Sequence, residues 1–251
     1  MSLKVSIITV CYQSASTIAD TLKSVASQSY PDIEHIIIDG GSTDETMNIV
    51  AQYPHVAKKI SEKDEGIYFA MNKGLHLATG EIVGILNADD VYAHKDVISK
   101  VAALFQDHSL EAVYGDLHFV DPVDMTKILR SWRSGDYAID KFYKGWMPPH
   151  PTFFVRRQVY ERYGLFNTTF TSAADYELML RFLLKYKIKP AYLNEVIIKM
   201  RQGGKSTASI KNRLIAHSED RKAWKVNQLN PDFFTLILKP LSKIKQFITY
   251  E

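Results

Sequence analysis

The sequence has very little cysteine and no long apolar run. Cys11 is the only cysteine among 251 residues, which excludes an intramolecular disulfide and a Cys-x-x-Cys zinc or redox site. No uninterrupted apolar stretch approaches the roughly 20 residues that a helix needs to span a bilayer. The first ten residues enter a strand-like run without the pattern of a signal peptide. We therefore expect a protein of the reducing cytoplasm.

A strong excess of one charge is also missing. Lys and Arg number 31 against 28 Asp and Glu, for a formal net charge of +3, which is too small to predict nucleic-acid binding. The mild positive charge suits an anionic partner such as a nucleotide diphosphate. Hydrophobic residues make up 46%, so the chain can bury a sizeable core, and its length fits one large α/β domain. Nothing in the sequence indicates the oligomeric state.

The first half of the chain alternates strand and helix patterns. Short apolar runs at residues 5–10, 33–38 and 82–86 are typical of parallel strands that are covered on both faces. Helices fill the intervals, and we expect the first two to begin at Ser16 and at Ser42, which has capping-box spacing to Glu45. These units predict a doubly wound, mostly parallel sheet with helices on both faces.

The second half is less regular. Strands are predicted at residues 112–120 and 127–132, pairing across a turn, at 152–155, and at 191 and 196–200. Helices are predicted at 157–163, 175–186 and 209–227, and residues 145–150 are expected to form a loop because of their two adjacent prolines.

Polar residues follow three of the predicted parallel strands. Thr9 ends the first strand, Asp39 ends the second, and Asp89 and Asp90 follow the buried run at 82–86. Ligands of open α/β sheets bind just beyond the carboxyl ends of the strands, so these side chains are expected to line one crevice.

The adjacent carboxylates Asp89 and Asp90 point to a metal site. They repel each other unless a cation or dense hydrogen bonding compensates, and Mg²⁺ or Mn²⁺ prefers such oxygen ligands and bridges to diphosphates. An isolated pair is more often a turn in which one Asp caps and the other faces solvent. The position of this pair after a buried strand, in series with Asp39, favours the metal site.

Four stretches carry a family resemblance. They are SIITVCY at 6–12, IIDGGSTD at 37–44, DEGIYFAMNKG at 64–74 and NADD at 87–90. In this order and spacing they resemble the donor-site motifs of the family-2 glycosyltransferases of the GT-A fold, over roughly residues 3–200. The resemblance implies an inverting enzyme that moves a sugar from a nucleotide-sugar to a saccharide or lipid-linked acceptor in cell-surface polysaccharide synthesis. UDP-sugars are the commonest donors.

The resemblance also implies site residues. Asp39 matches the acid at the nucleobase edge, Asp89 the contact to ribose or donor sugar, and Asp90 the ligand of a divalent metal that Asp89 shares. Asp64 and Lys73 flank the base and the diphosphate, although Lys73 could instead complement the end of its helix. The residues assigned to the donor are Thr9, Val10, Tyr12, Asp39, Asp64, Lys73, Asn87 and Asp89.

The general base of such enzymes stands at the start of a helix, where Asp175 lies in this sequence. The acid that often precedes it in the family is Ala174 here, and Glu177 is the second candidate. Asp175 could instead serve only the helix N-terminus, where a carboxylate is stabilised.

The acceptor side is less defined. His150 could contact the diphosphate or the metal, and the basic loop 201–206 could close over the donor; a structural histidine and a surface turn are the alternatives. Residues 233–248 place apolar side chains at helical intervals among lysines, which predicts a basic amphipathic helix that can lie on the inner face of a membrane or pack on the domain. We expect one catalytic domain at 1–230, with a nucleotide-sugar half at 3–120 and an acceptor half at 121–230, followed by a tail at 231–251.

Two other functions stay open on the sequence alone. A sugar nucleotidyltransferase would need a similar sheet and metal carboxylates, but also a glycine-rich phosphate loop after the first strand, where Tyr12 and Gln13 stand here. A non-catalytic module that binds a nucleotide-sugar is the other. Release of nucleoside diphosphate without pyrophosphate separates all three.

Overall fold

The computed structural model describes residues 2–203, 210–232 and 235. The strands in this part of the chain are β1 (Val5–Cys11), β2 (Ile33–Asp39), β3 (Val56–Ser61), β4 (Ile82–Ile85), β5 (Asp90–Tyr92), β6 (Ala112–Val120), β7 (Ile128–Trp132), β8 (Phe154–Arg156) and β9 (Pro190–Arg201). The helices are α1 (Ile18–Ala26), α2 (Thr46–Val50), α3 (Ile67–Leu77), α4 (Val97–Leu104), α5 (Ile139–Tyr143), α6 (Arg157–Tyr163), α7 (Ala174–Met179) and α8 (Ile210–Val226). A 3₁₀ turn spans His150–Thr152, and α7 continues as a π-helical segment over Leu180–Lys185.

All these strands belong to one sheet with the order β3-β2-β1-β4-β8-β6-β9-β5, and β7 pairs with β6. The first four strands are parallel, as the alternation of strands and helices predicts. Strand β8 then enters antiparallel between β4 and β6, while β9 runs parallel to β6 and pairs antiparallel with β5. The doubly wound α/β fold is confirmed, and its second half mixes the two strand directions.

Helices cover both faces of the parallel strands. On one face, Ile8 and Ile36 pack with Met71 of α3, and on the other Ile37 packs with Leu22 of α1. Helix α3 approaches β1 very closely at Gly74, where an added Cβ would lie 2.3 Å from Cγ2 of Ile8. The helix therefore rests on the strand with no room for a larger side chain.

Two predicted helix starts are wrong. Helix α1 begins after Thr17 rather than at Ser16, and no side chain caps it. Helix α2 begins only after Glu45. The hydroxyl of Ser42 donates to Asp39, and its oxygen accepts from the backbone N–H of Gln13 at 2.8 Å rather than from an N–H of the helix. A capping oxygen must accept from an N–H of the first turn, and the Ser42 oxygen is used instead by a backbone donor that follows β1.

The second half differs from the prediction in detail. Strand β6 and helix α6 have the predicted bounds, and β7 pairs with β6 as expected. The two strands predicted near Ala191 and Val196 are one continuous strand of twelve residues, β9, which pairs with two neighbours along its length. Helix α5 was not predicted.

Within the described ranges, no helix combines the length and apolar character needed to cross a membrane. Most of the predicted amphipathic tail at 233–248 lies outside the described residues, as do positions 204–206 of the basic loop. The predicted domain limits stay predictions.

Candidate active site

The carboxyl ends of β1, β2 and β4 lie side by side. Cys11 is in register with Asp39, and the backbone N–H of Leu86, just past β4, donates to the carbonyl of Ile8 at 2.9 Å. The turn after β4 is fastened to α1, where Thr21 donates to the carbonyl of Asp90 at 2.8 Å. The sequence elements that carry Asp39 and the Asp89-Asp90 pair therefore meet at one edge of the sheet.

The side chains of Thr9 and Val10 are buried within the fold. Oγ1 of Thr9 lies 3.0 Å from Nε2 of His35, whose other ring nitrogen lies 3.1 Å from His55. Burial, together with the charge of His55, lowers the pKa of His35 to about 3, so that the inner ring is neutral at ordinary pH. The side chains of Thr9 and Val10 therefore pack inside the protein and support the strand end rather than facing solvent.

Asp39 is also fully buried and holds the turn that follows β2. Its carboxylate accepts hydrogen bonds from the N–H and the hydroxyl of Ser42, the hydroxyl of Ser61 at 2.6 Å and the thiol of Cys11 at 3.6 Å. These four donors match the lone pairs of a carboxylate, so each is engaged within the protein.

An aromatic ring and a carboxylate flank the turn after β2. Tyr12 is 56% exposed, which is unusual for an aromatic ring at the end of a buried strand. A Cβ built on Gly40 would lie 3.5 Å from the ring of Tyr12 and 3.7 Å from Oδ2 of Asp64. Gly40, which has no side chain, thus leaves open the space between the Tyr12 ring and Oδ2 of Asp64.

Asp64 has one oxygen engaged and one without a partner. Oδ1 forms an ion pair with Lys73, which also contacts Glu62 at 2.7 Å. The hydrogen bonds to Asp64 and Glu62 raise the pKa of Lys73, so the ammonium stays charged. Oδ2 is buried and has no hydrogen-bond partner among the described residues. A buried acceptor left in this way is expected to receive a donor from a ligand or water.

The same is true at Asp90. Oδ2 accepts from the amide of Asn87 at 3.0 Å, while Oδ1 of Asp90 and the amide oxygen of Asn87 are buried and have no partner within the described part of the chain. Two oxygen acceptors at one strand end therefore lack donors, in the arrangement that a hard cation would satisfy.

Asp89 is half-buried and is held through its backbone. Its carbonyl accepts from Arg201 at 2.9 Å, and the same guanidinium binds Asp20 and the carbonyl of Pro122 at 3.2 Å. Arg201 is itself buried. The predicted closure of the basic loop over a diphosphate therefore does not include Arg201, whose charge is used to hold the turn.

Burial governs the ionisation of the pair. It raises the pKa of Asp89, and it raises that of Asp90 further because the charge of Asp89 adds to the cost; Arg201 opposes both shifts. No cluster of three His, Cys, Asp or Glu side chains suited to a metal occurs among residues that the structure describes. Magnesium and manganese often take only one or two carboxylates and complete their shell with substrate phosphates and water. The residues present fit an ion of that kind.

A second group of residues surrounds the predicted base. Asp175 is half-buried at the first turn of α7, and its Oδ1 accepts from the hydroxyl of Tyr68 at 3.3 Å. The ring of Tyr68 stacks on Phe166, and His150 meets Phe166 edge-on. Burial lowers the pKa of His150, while the nearby charge of Asp175 opposes that shift. Asp175 and His150 are thus brought together.

Glu177 does not suit the role of a base. It is buried and accepts two hydrogen bonds from Arg181, each 3.0 Å long, and a third from Asn227 at 3.1 Å. The bond from Asn227, which directly follows α8, ties α7 to the end of α8. Glu177 is therefore a structural acid, and the second candidate for the base is excluded by its surroundings.

Comparison with known proteins decides the family. A sequence model described as glycosyl transferase family 2 matches residues 6–164. The chain belongs to this family. The family-2 assignment makes it a glycosyltransferase, rather than a sugar nucleotidyltransferase or a non-catalytic module, and it confirms the predicted GT-A fold class.

Among relatives, a PGL/p-HBAD biosynthesis glycosyltransferase of Mycobacterium tuberculosis is 30% identical over 199 residues, which cover 76% of this chain and 73% of the relative. An uncharacterised glycosyltransferase of a Nostoc species is 34% identical over 129 residues, covering 49% of this chain and 39% of the relative.

Solved structures share the fold. S. aureus TarS 1–349 in complex with UDP-GlcNAc has a TM-score of 0.70 at 20% identity, covering 94% of this chain and 69% of that one. A mannosyltransferase from Pyrobaculum calidifontis, in complex with GDP-Man and Mn²⁺, has a TM-score of 0.66 at 19% identity and covers 100% and 77%. The chain spans 44% of a longer TarS structure.

The sequence analysis gave no role to Tyr68 and Phe166, and it assigned Arg201 to a loop over the donor rather than to the turn of Asp89. Tyr68, Phe166 and Arg201 act through contacts with residues far away in the chain, and such contacts leave no local pattern. Tyr12 and the neighbouring glycines belong to the sequence motifs. Which oxygens of Asp64 and Asp90 lack a partner among the described residues depends on the folded positions of their neighbours.

Proposed function

We propose that this enzyme transfers a sugar from a UDP-sugar to a hydroxyl of a saccharide or lipid-linked acceptor, with inversion at the anomeric carbon. The observation that carries the proposal is the turn after β4, beside the ends of β1 and β2. There Asp90 and Asn87 present buried oxygens that receive no donor from any residue the structure describes. Such a site suits a divalent cation that neutralises a diphosphate leaving group.

The donor is proposed to lie along this edge. Its base would stack on the exposed ring of Tyr12, above Gly40, with Oδ2 of Asp64 ready to accept an N–H from the base edge. Asp39 stays assigned to the same edge, but to accept a base N–H it must exchange the hydroxyl of Ser42 or Ser61. Asp64 needs no such exchange.

Lys73, and a divalent ion held by Asp89 and Asp90, would bind the diphosphate. Asp90, with a share from Asp89, would bind Mg²⁺ or Mn²⁺, and the bound ion would offset the charge that develops on the leaving diphosphate. The Lys73 ammonium, kept charged by Asp64 and Glu62, adds positive charge at the same donor segment.

Asp175 is proposed as the general base. Its carboxylate takes the proton of the acceptor hydroxyl as the hydroxyl oxygen forms its bond to the anomeric carbon, and the bond from that carbon to the diphosphate oxygen breaks on the opposite face. The acceptor thus loses a proton to Asp175 and gains the glycosyl group, and nucleoside diphosphate leaves with the electron pair of the broken bond.

The donor assignment is tested by thermal shift with UDP-, GDP- and dTDP-sugars, each with and without Mn²⁺. We expect stabilisation by UDP-sugars that depends on Mn²⁺. Equal binding of all donors without metal would contradict both the donor and the metal site.

The base assignment is tested with Asp175→Asn, which we expect to keep donor affinity and to lose transfer by about a thousandfold. Release of UDP without pyrophosphate measures transfer, and the anomeric proton coupling of the product reports inversion. Glu161→Gln, an exposed change on α6, is the matched control and should be fully active. Transfer retained by Asp175→Asn would refute the assignment.

A further inference from the structure

Helix α3 touches both the donor side and the base side of the site. At its donor side, Lys73 pairs with Asp64, and Gly74 rests against Ile8 of β1. On its other side, Tyr68 contacts Asp175, and Asn72 contacts the neighbouring Phe166. A single rigid element of eleven residues thus bridges two groups that the reaction must align.

Tyr68, in the first turn of α3, reaches the base directly. Its hydroxyl donates to Oδ1 of Asp175 at 3.3 Å, across 107 positions of sequence. The ring is 8% exposed. Burial, and then the charge of Asp175, raise the pKa of Tyr68, although the backbone N–H groups of Ala174 and Asp175 favour the ionised form. The hydroxyl therefore keeps its proton and remains a donor.

The ring of Tyr68 has its own support. It stacks on Phe166 with ring centroids 5.7 Å apart and an interplanar angle of 21°. Phe166 is fixed by Asn72, one turn further along α3, whose amide donates to the Phe166 carbonyl at 2.9 Å and accepts from its N–H at 3.0 Å. Both backbone groups of Phe166 are thus paired with one side chain, as a neighbouring strand would pair them.

We propose that Tyr68 is a positioning residue for Asp175. It holds one carboxylate oxygen, so that the other is directed at the acceptor hydroxyl, and Asn72 keeps Phe166 in place beneath the Tyr68 ring. The proposal rests on the base role given to Asp175 above. Because Tyr68 acts through Asp175 and is given no contact with donor or acceptor, loss of its hydroxyl should slow turnover and leave donor affinity unchanged.

The test is Tyr68→Phe, which removes one oxygen and keeps the ring. We expect kcat to fall about ten- to a hundredfold, with the KM and Kd of the donor within about twofold of wild type. Tyr160→Phe is the matched control. Tyr160, in α6, is also buried and packs on Phe166, but within the described part of the chain it forms no hydrogen bond to Asp175. Its kcat should stay within about twofold of wild type.

A second variant, Asn72→Asp, tests the support of the Tyr68 ring without changing Tyr68 or Asp175. Asn72→Asp keeps the acceptor for the Phe166 N–H and loses the donor to its carbonyl, so kcat should fall while donor Kd is preserved. Asp175→Asn distinguishes a failure of the base role of Asp175 from a failure of the positioning role of Tyr68. If Asp175→Asn is inactive and a folded Tyr68→Phe turns over at the wild-type rate, the positioning role is wrong and the base stands. If Asp175→Asn stays active, the proposed function fails first, whatever Tyr68→Phe does.

Discussion

Glutamine in place of Glu34 tests the network that joins the first strands at the end of the sheet opposite the site. Glu34 lies in β2, and its side chain is 4% exposed. It accepts from Ser6 at 2.6 Å, from the N–H and hydroxyl of Thr79 at 2.8 and 2.9 Å, and from Lys58 at 2.9 Å. One carboxylate therefore links β1, β2, β3 and the turn before β4.

The size of the effect follows from its ionisation. Burial opposes the charge of Glu34, but the donors from Lys58, Ser6 and Thr79 outweigh it and lower the pKa from 4.5 to about 2. That difference is worth roughly 3 kcal/mol of unfolding free energy at pH 7. Because the folded pKa is depressed, the stabilisation is complete above pH 4.5 and disappears as the pH falls through about 2. About half of it should remain at pH 3.

Urea unfolding of wild type and Glu34→Gln at pH 7, 5, 4 and 3 measures this. The difference in unfolding free energy should be largest and constant from pH 7 to 5, and should shrink by roughly 1–2 kcal/mol at pH 3. His35, whose depressed pKa also makes the fold acid-sensitive between about pH 6.5 and 3, is present in both proteins and cancels. Glu161→Gln serves as an exposed control. A difference that does not change between pH 7 and 3 would refute the reasoning.

Two further predictions concern the site. Gly74→Ala places a Cβ 2.3 Å from Cγ2 of Ile8. This crowding should outweigh the roughly 1 kcal/mol gain in helix propensity and lower the Tm by about 2–6 °C. A higher Tm would contradict the close packing. Asp90→Asn removes a carboxyl group whose ionisation is made unfavourable by burial and by the charge of Asp89. Without metal the Tm should therefore rise by about 2–4 °C, while Mn²⁺-dependent stabilisation by donor is lost. A lower Tm, or retained Mn²⁺ dependence, would count against the metal site.

The sequence predicted the parallel half of the fold because its signals are local. Residues 5–10 and 33–38 are apolar enough to be buried on both faces, and a polar residue stands at or next to the end of each run, Thr9 in the first and Asp39 after the second. Parallel strands bring their carboxyl ends to one edge, so the meeting of Asp39 with the turn of Asp89 could be deduced.

The remaining features depend on distant parts of the chain. Strand β8 has only three residues, and its partners β4 and β6 precede it by dozens of positions. The bond between Tyr68 and Asp175 has the same character. Arg201 looked like part of a mobile basic loop, yet its guanidinium is committed to Asp20 and two carbonyls. Spacing along the chain cannot show which acceptor a long side chain will reach.

The pairing of β5 with β9 sets the order in which the protein can be completed during its synthesis. The strand that starts at Asp90 is bound by residues 198–200, more than a hundred positions later. The stretch matched by the family ends at residue 164. A nascent chain of that length would already contain Asp39, Asp89 and Asp90, but β5 would still lack its partner β9. The unpaired backbone groups of an exposed strand edge can pair with another chain. A fragment cut to the matched region is therefore expected to aggregate rather than to serve as a minimal enzyme.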